Sequence, residues 1–266
     1  MFLTSIFLKS VRDLRRSLFW WSVAVILYCS LMTNLYDTMA DSLELLVEFY
    51  PPELAKMFGV DIKTLASPSG WLYAEIYAMV LPICFIAFFV FSGANAIANE
   101  EETRTLELLL SEPVSRGRLY VEKFMALVFN CVVISIVAFI SIALPSIAIN
   151  MDISMWKLIA ATLNLTLLAT LLGTLAFALS ASLGKRRTSL VVPVGFAMLS
   201  YVSNIASMFT SVVDGINKFS IFNYYRIEEA FEKGIDVGII LGFLFSIILV
   251  TSVSYTHLTL PTNREV

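Results

Sequence analysis

NEEETRTLELLLSEPVSRGRLYVEK, Asn99–Lys123, is the stretch on which the reading of this chain turns. It interrupts a long apolar region with dense charge of both signs, and hydrophobic runs flank it, Trp71–Ala98 before and Phe124–Ile149 after. A run of about 20 apolar residues crosses a hydrocarbon core of about 30 Å at about 1.5 Å per residue. Both flanks therefore read as membrane spans, and the charged segment must lie on one side of a bilayer.

Within the segment, Glu100, Glu101 and Glu102 come first. Thr103–Leu110 has helical spacing: Leu106, Leu109 and Leu110 make one apolar stripe, while Arg104, Glu107 and the carboxylates point elsewhere. Glu100 and Arg104 stand one turn apart, a pair worth about 0.2–0.5 kcal/mol. Pro113 stops that helix because its ring and missing N–H block continuation. Ser115 is placed to cap the next one. The product is a rigid elbow. A plain connector between helices takes about two to eight residues, whereas this one uses about two dozen with its own helix, stop and cap signals. The excess favours a docking surface for a cytosolic partner over a simple interfacial anchor.

The rest of the chain agrees with a membrane reading. Its 266 residues are 58% hydrophobic and 15% charged, with a mean hydropathy of +0.82, whereas soluble domains carry roughly a quarter charged residues. A net charge of −3 gives no reason to expect a nucleic-acid partner. Cys29, Cys84 and Cys131 each lie inside an apolar block and read as small packing residues rather than as a disulfide framework or a metal site. No cleavable signal peptide is expected, since no small-residue cleavage pattern follows the basic start.

In chain order, Met1–Ser17 reads as a basic amphipathic helix on the inner leaflet, with Phe2, Ile6 and Phe7 apolar and Lys9, Arg12, Arg15 and Arg16 following. The spacing predicts an all-α protein of six spans: Leu18–Tyr36, Trp71–Ala98, Phe124–Ile149, Leu158–Leu183, Leu190–Phe209 and Val237–Val253. Asp37–Gly70 is a long acidic loop, and Thr210–Asp236 is an aromatic one holding the helix-like run IEEAFEKG. Small residues at Ala169, Gly173, Ala176, Ser180 and Gly184 predict a close-packing face on the fourth span.

Counting Lys and Arg in alternate loops gives eleven on the side of the N-terminus, the elbow and Lys185–Arg187, against six on the other. That bias puts the N-terminus and the elbow in the cytoplasm. Residues 254–266, SYTHLTLPTNREV, lack the basic anchor expected after a last inward span and read as an atypical extension foreign to the native chain.

The run Glu100-Glu101-Glu102, Thr105-Leu106-Glu107-Leu108-Leu109-Leu110, Pro113-Val114-Ser115-Arg116 resembles the signature of ABC-2 type transporter permeases. The wider resemblance covers residues 1 to about 253, with two departures: Arg104 stands where many members have glycine, and the basic C-terminal end is missing. The resemblance implies that the segment is the coupling helix between spans two and three, with Glu100, Glu101, Glu102, Thr105, Leu106, Glu107, Leu109, Pro113, Ser115 and Arg116 meeting a cytosolic ABC ATPase subunit. It implies a prokaryotic plasma-membrane exporter, formed by two permease subunits, identical or sister, and driven by ATP bound on the partner. The chain itself offers no G-x-x-x-x-G-K-[ST] phosphate loop, since Gly184-Lys185 is followed by Arg186, so it is not expected to be an enzyme or to bind a cofactor or metal.

Phe222, Tyr224 and Tyr225 are candidates for an outer aromatic layer, or for the outer gate that the resemblance implies there. Pro82 and Pro193 read as helix kinks first and as gate hinges second, and Asn95 and Asn164 as polar contacts between helices or as lining of a substrate path. Asn164-Leu165-Thr166 matches a glycosylation sequon but lies inside a span. An intramembrane enzyme is disfavoured, because no span holds a histidine and Glu75, near an outer end, is the one carboxylate within span limits. The rival classes are a secondary transporter driven by an ion gradient and a non-transporting membrane assembly factor. Weakly polar spans suit lipid-like or amphiphilic cargo, although relatives serving ions or metal-enzyme maturation have the same outline.

Overall fold

The computed structural model describes residues 6–49, 67–102 and 115–259, which are helices and short turns with no strand among them. Helix α1, Ile6–Phe49, is continuous over 44 residues. No glycine or proline lies within it, so nothing in the sequence stops it. The basic amphipathic lead-in is therefore the first part of the helix that forms the first span, not a separate element, and the helix also absorbs the start of the expected first loop. Residues 50–66 of that loop lie outside the described residues.

The second span differs from the single helix expected over Trp71–Ala98. Helix α2 begins as an α-helix at Pro68–Trp71 and widens into a π-helix at Leu72–Tyr77. Helix α3, Val80–Asn95, leaves it at an angle of 41°. Pro82 explains the break: it has no N–H to give Ala78 and its ring would strike that carbonyl. The chain instead restarts at Met79, which puts Pro82 in the first turn of α3, where an N–H has no helical partner anyway. Pro82 thus opens a new helix rather than kinking an old one.

Helix α4, Ala98–Glu102, follows, and α5, Arg116–Ala148, carries the third span. Pro145 lies inside α5 and frees the carbonyl of Ser141, which accepts a hydrogen bond from Ser30 Oγ of α1 at 3.2 Å. The turn after α5 uses Asn150 at φ 52°, and α6, Met155–Leu183, and α7, Arg186–Phe209, come next, with Pro193 inside α7. Two 3₁₀ turns, Ser211–Val213 and Ile221–Tyr224, alternate with α8, Asp214–Asn217, and α9, Ile227–Lys233. The last helix, α10, is Val237–Thr259. It runs beyond Val253 because no glycine or proline intervenes after Gly242 until Pro261. Ser254 Oγ donates to the carbonyl of Ala178 at 3.2 Å, and the Tyr255 ring meets Tyr120 edge-on at 5.7 Å.

Among the described residues, five helices are long and apolar enough to cross a membrane, and the bent α2–α3 pair makes a sixth if it is one span. Helix α6 is the hub: α3, α5, α7, α9 and α10 all pack on it, and 72% of its apolar stretch is buried, against 17% for α1 and for α10. The outer helices therefore turn Phe19, Trp20, Leu199, Phe245 and similar side chains away from the protein, as a lipid-facing surface requires. Where α3 crosses α6 the backbones touch: a Cβ on Gly93 would run into the carbonyl of Gly173, and one on Gly173 would press on Phe89. Only glycine permits that approach.

Candidate functional site

At one end of the bundle, Glu100, Glu101 and Glu102 reach four other helices: α1 and α5, the end of α6, and the start of α7. Ser180 Oγ of α6 accepts hydrogen bonds from the backbone N–H of Ile97 and of Ala98, at 3.2 and 2.8 Å, and so fixes the start of α4. The Glu100 carboxylate then lies between Lys9 of α1, at 3.5 Å, and Lys123 of α5, at 2.5 Å. Lys123 is only 5% exposed, and its Nζ also donates to the carbonyl of Ala96. An ammonium so buried is held in place by a carboxylate and a carbonyl together.

Glu101 packs against Gly184, the residue that ends α6 in the left-handed conformation at φ 63°. A Cβ there would collide with the carboxylate, so glycine serves both the turn and the approach. Glu102 Oε1 accepts the backbone N–H of Arg186 at 3.0 Å, which places a negative charge on the first turn of α7. The Arg186 guanidinium lies over the ring of Phe91, 5.5 Å from its centre.

Beyond the elbow, Ser115 Oγ accepts the N–H of Arg118 at 3.3 Å and caps α5. Arg118 Nε donates to Glu122 at 2.6 Å, and the other oxygen of Glu122 accepts the N–H of Phe7 at 3.0 Å. The start of α1 is thereby tied to the start of α5. Arg116 is the first residue of α5. Thr105, Leu106, Glu107, Leu109 and Pro113, with Arg104 and the rest of 103–114, lie outside the described residues. Sequence reasoning missed Lys9, Glu122 and Lys123 as partners. The available signal was charge at the mouths of spans, where an unpaired ion is costly.

The small-residue face of α6 points inward: Gly173 meets α3, Ala176 is fully buried, and Ser180 holds the backbone before α4. At the opposite end the contacts change character. Phe222 is buried between Tyr201 and Tyr225, with ring centres at 5.2 and 6.0 Å. The Tyr225 hydroxyl donates to the carbonyl of Tyr77 at 3.0 Å, and the Tyr77 hydroxyl shares a hydrogen bond of 2.6 Å with Thr162 on α6. Tyr224 is exposed, and its hydroxyl donates to the carbonyl of Lys218, six residues back, at 3.1 Å. The three aromatic candidates therefore divide into two that join the packed body and one that does not.

Asn95 Nδ2 donates to the carbonyl of Phe91 in its own helix at 2.6 Å, and the side chain lines a space shared with Ser10 and Leu14 of α1 and Ala126 of α5. Asn164 is buried, and its Oδ1 has no hydrogen-bond partner among the described residues. Among those residues, no group of His, Cys, Asp or Glu is placed to hold a metal ion, and the three cysteines are free.

No curated protein and no solved structure matches the chain. A family model described as ABC-2 family transporter protein matches residues 4–226. That stretch takes in α1, the elbow, the hub α6 and the aromatic turn before α9, so this multi-pass membrane chain belongs to the ABC-2 transporter family.

Proposed function

We propose that the chain is one membrane half of an ATP-driven exporter, with a second permease subunit beside it and a separate cytosolic ATPase beneath the elbow. The N-terminus and Glu100–Arg116 face the cytoplasm in this reading, as the distribution of Lys and Arg favours.

One observation carries the proposal. The residues that open the elbow are tied at once to α1 and α5 through Glu100 and to α7 through Glu102. Force delivered to this point reaches three membrane helices and, through Ser180, the hub. A loop serving only to join two spans has no need of such ties. Family membership supports an ATPase as the source of that force.

The test is to isolate the chain with the ATPase that co-purifies with it and to compare the native protein with Glu101→Lys/Glu107→Lys. The double variant is expected to stay in the membrane while cargo-stimulated ATP hydrolysis falls to the basal rate. Unchanged stimulation would overturn the reading. So would a membrane-impermeant reagent reaching a cysteine at position 101 from the outside of intact cells, or cargo movement without nucleotide.

A further inference from the structure

At the end opposite the glutamates, α6, α9 and α10 border an open cavity of about 320 Å³ lined by Asn164, Arg226, Glu229, Lys233 and Asp236. Arg226, Asp236 and Ile239 also line an adjoining groove of about 550 Å³, whose other walls include Leu171, Gly242 and Phe243. The first space is charged and the second largely apolar, and they meet at Arg226.

The charges in the cavity are balanced. Glu229 bridges Arg226 at 3.3 Å and Lys233 at 3.5 Å. Asp236 Oδ1 accepts the N–H groups of Gly238 and Ile239, at 2.8 and 3.2 Å, at the start of α10. Below this ring lies Asn164, roughly 13 Å along α6 from its first residue. It is 8% exposed, and its Oδ1 has no partner among the described residues. A buried acceptor at that depth calls for a donor from a bound molecule.

We infer that the cavity and groove together hold a zwitterionic, single-chain phospholipid. Its phosphate meets Arg226, whose planar fork suits phosphate oxygens and whose position is the junction of head and tail spaces. Its ammonium meets the carboxylates of Glu229 and Asp236. The linker hydroxyl of a lysophospholipid donates to Asn164 Oδ1, and the chain follows the groove past Gly242, where a Cβ would meet nothing within 4 Å. The groove has the size of a single-ligand pocket. A net anion finds no net positive charge here, and an uncharged lipid has no phosphate for the Arg226 fork and no ammonium for the carboxylates of Glu229 and Asp236.

The test is native mass spectrometry of the purified chain with three probes of equal chain length: lysophosphatidylethanolamine, lysophosphatidylglycerol and a monoacylglycerol. No ATPase takes part, so the result stands apart from the coupling proposal. The zwitterionic probe is expected to be retained about tenfold more strongly than either other probe. Asn164→Leu and Gly242→Trp should each lower its retention about tenfold. Gly242→Trp fills open space, so its melting temperature should match that of the native chain, and it decides the matter if Asn164→Leu does not fold. Equal retention of the three probes, or retention unchanged in a folded Gly242→Trp, would overturn the inference.

Discussion

The two ends of the bundle are held together by opposite chemistries. At the elbow end, helices are joined by ions: Glu100 with Lys9 and Lys123, Glu102 with the first turn of α7, and Glu122 with the first turn of α1. At the other end, rings and neutral hydroxyls do the joining: Phe222 with Tyr201 and Tyr225, Tyr225 with Tyr77, and Tyr77 with Thr162. Ion pairs act over distance and can be made or broken by a charged partner, whereas ring packing is short-ranged and indifferent to charge. The contrast fits the coupling proposed above, in which force enters at the ionic end. Helix α6 touches both sets, through Ser180 and Thr162.

The largest effect is expected where the ends are joined, at the crossing of α3 on α6. Gly93→Leu would drive a side chain into the backbone of Gly173 and Phe177. Backbone cannot give way as a flexible side chain can, so the cost is about 3 kcal/mol or more. Loss of monodisperse protein on size exclusion is the readout. A Gly93→Leu protein as stable as the native one would separate the two ends mechanically and undo the comparison.

Next comes the ionic end itself. Lys123→Met takes away the buried ammonium beside Glu100 and leaves the half-exposed Lys9 in place. Breaking a fully buried pair costs about 3–5 kcal/mol; here Glu100 is 15% exposed and keeps its pair with Lys9, so about 2 kcal/mol is expected. Adding Glu100→Gln should recover much of the loss, because the carboxylate that lost its buried partner is then neutral and Lys9 is exposed enough to be hydrated. Thermal unfolding of the two single variants and the double variant measures the coupling directly, and additivity would show that the pair does not join α4 to α5. At the neutral end, Tyr225→Phe removes one hydrogen bond and keeps the ring, for about 1 kcal/mol. Raising salt should weaken the elbow end and leave the effect of Tyr225→Phe unchanged.

Most of this architecture was legible in the sequence, for a simple reason. Span length and apolarity are local properties, and α5, α6, α7 and α10 follow from them within a few residues. Boundaries were less legible. α1 and α10 run on because no glycine or proline stops them, and the second span breaks because Pro82 acts on a carbonyl four residues back, which a span-length reading overlooks. Least legible were the partners of charges. Nothing local ties Lys9 to Glu100 or Glu122 to Phe7; those pairings exist because α1 lies along α5 and α4 returns to the hub. Asn164 shows the same limit, since a buried amide reads alike whether it joins helices or lines a cavity. Of the elbow, Glu100–Glu102, Ser115 and the backbone of Arg116 can be compared with the sequence reading, and residues 103–114 lie outside the described residues.

The smallest effect tests whether the far end is free of charge dependence, and it comes down to Glu228. This residue and Glu229 both lie in the first turn of α9. Glu229 pairs with Arg226 and Lys233, while Glu228 has its carboxyl raised above its ordinary value by burial first and by Glu232 and Glu229 next. A raised carboxyl pKa means that ionisation costs the folded state more than the unfolded one. Below the ordinary carboxylate range the group is protonated in both states and there is no penalty. As pH rises through that range and past the folded value, the penalty develops in full. Glu228→Gln should therefore match the native chain near pH ~4 and exceed it in melting temperature near pH ~7, by about one degree given solvent screening. A variant less stable at neutral pH would mean that the carboxylate favours the fold through the N-terminus of α9. The far end would then share in the ionic character of the elbow.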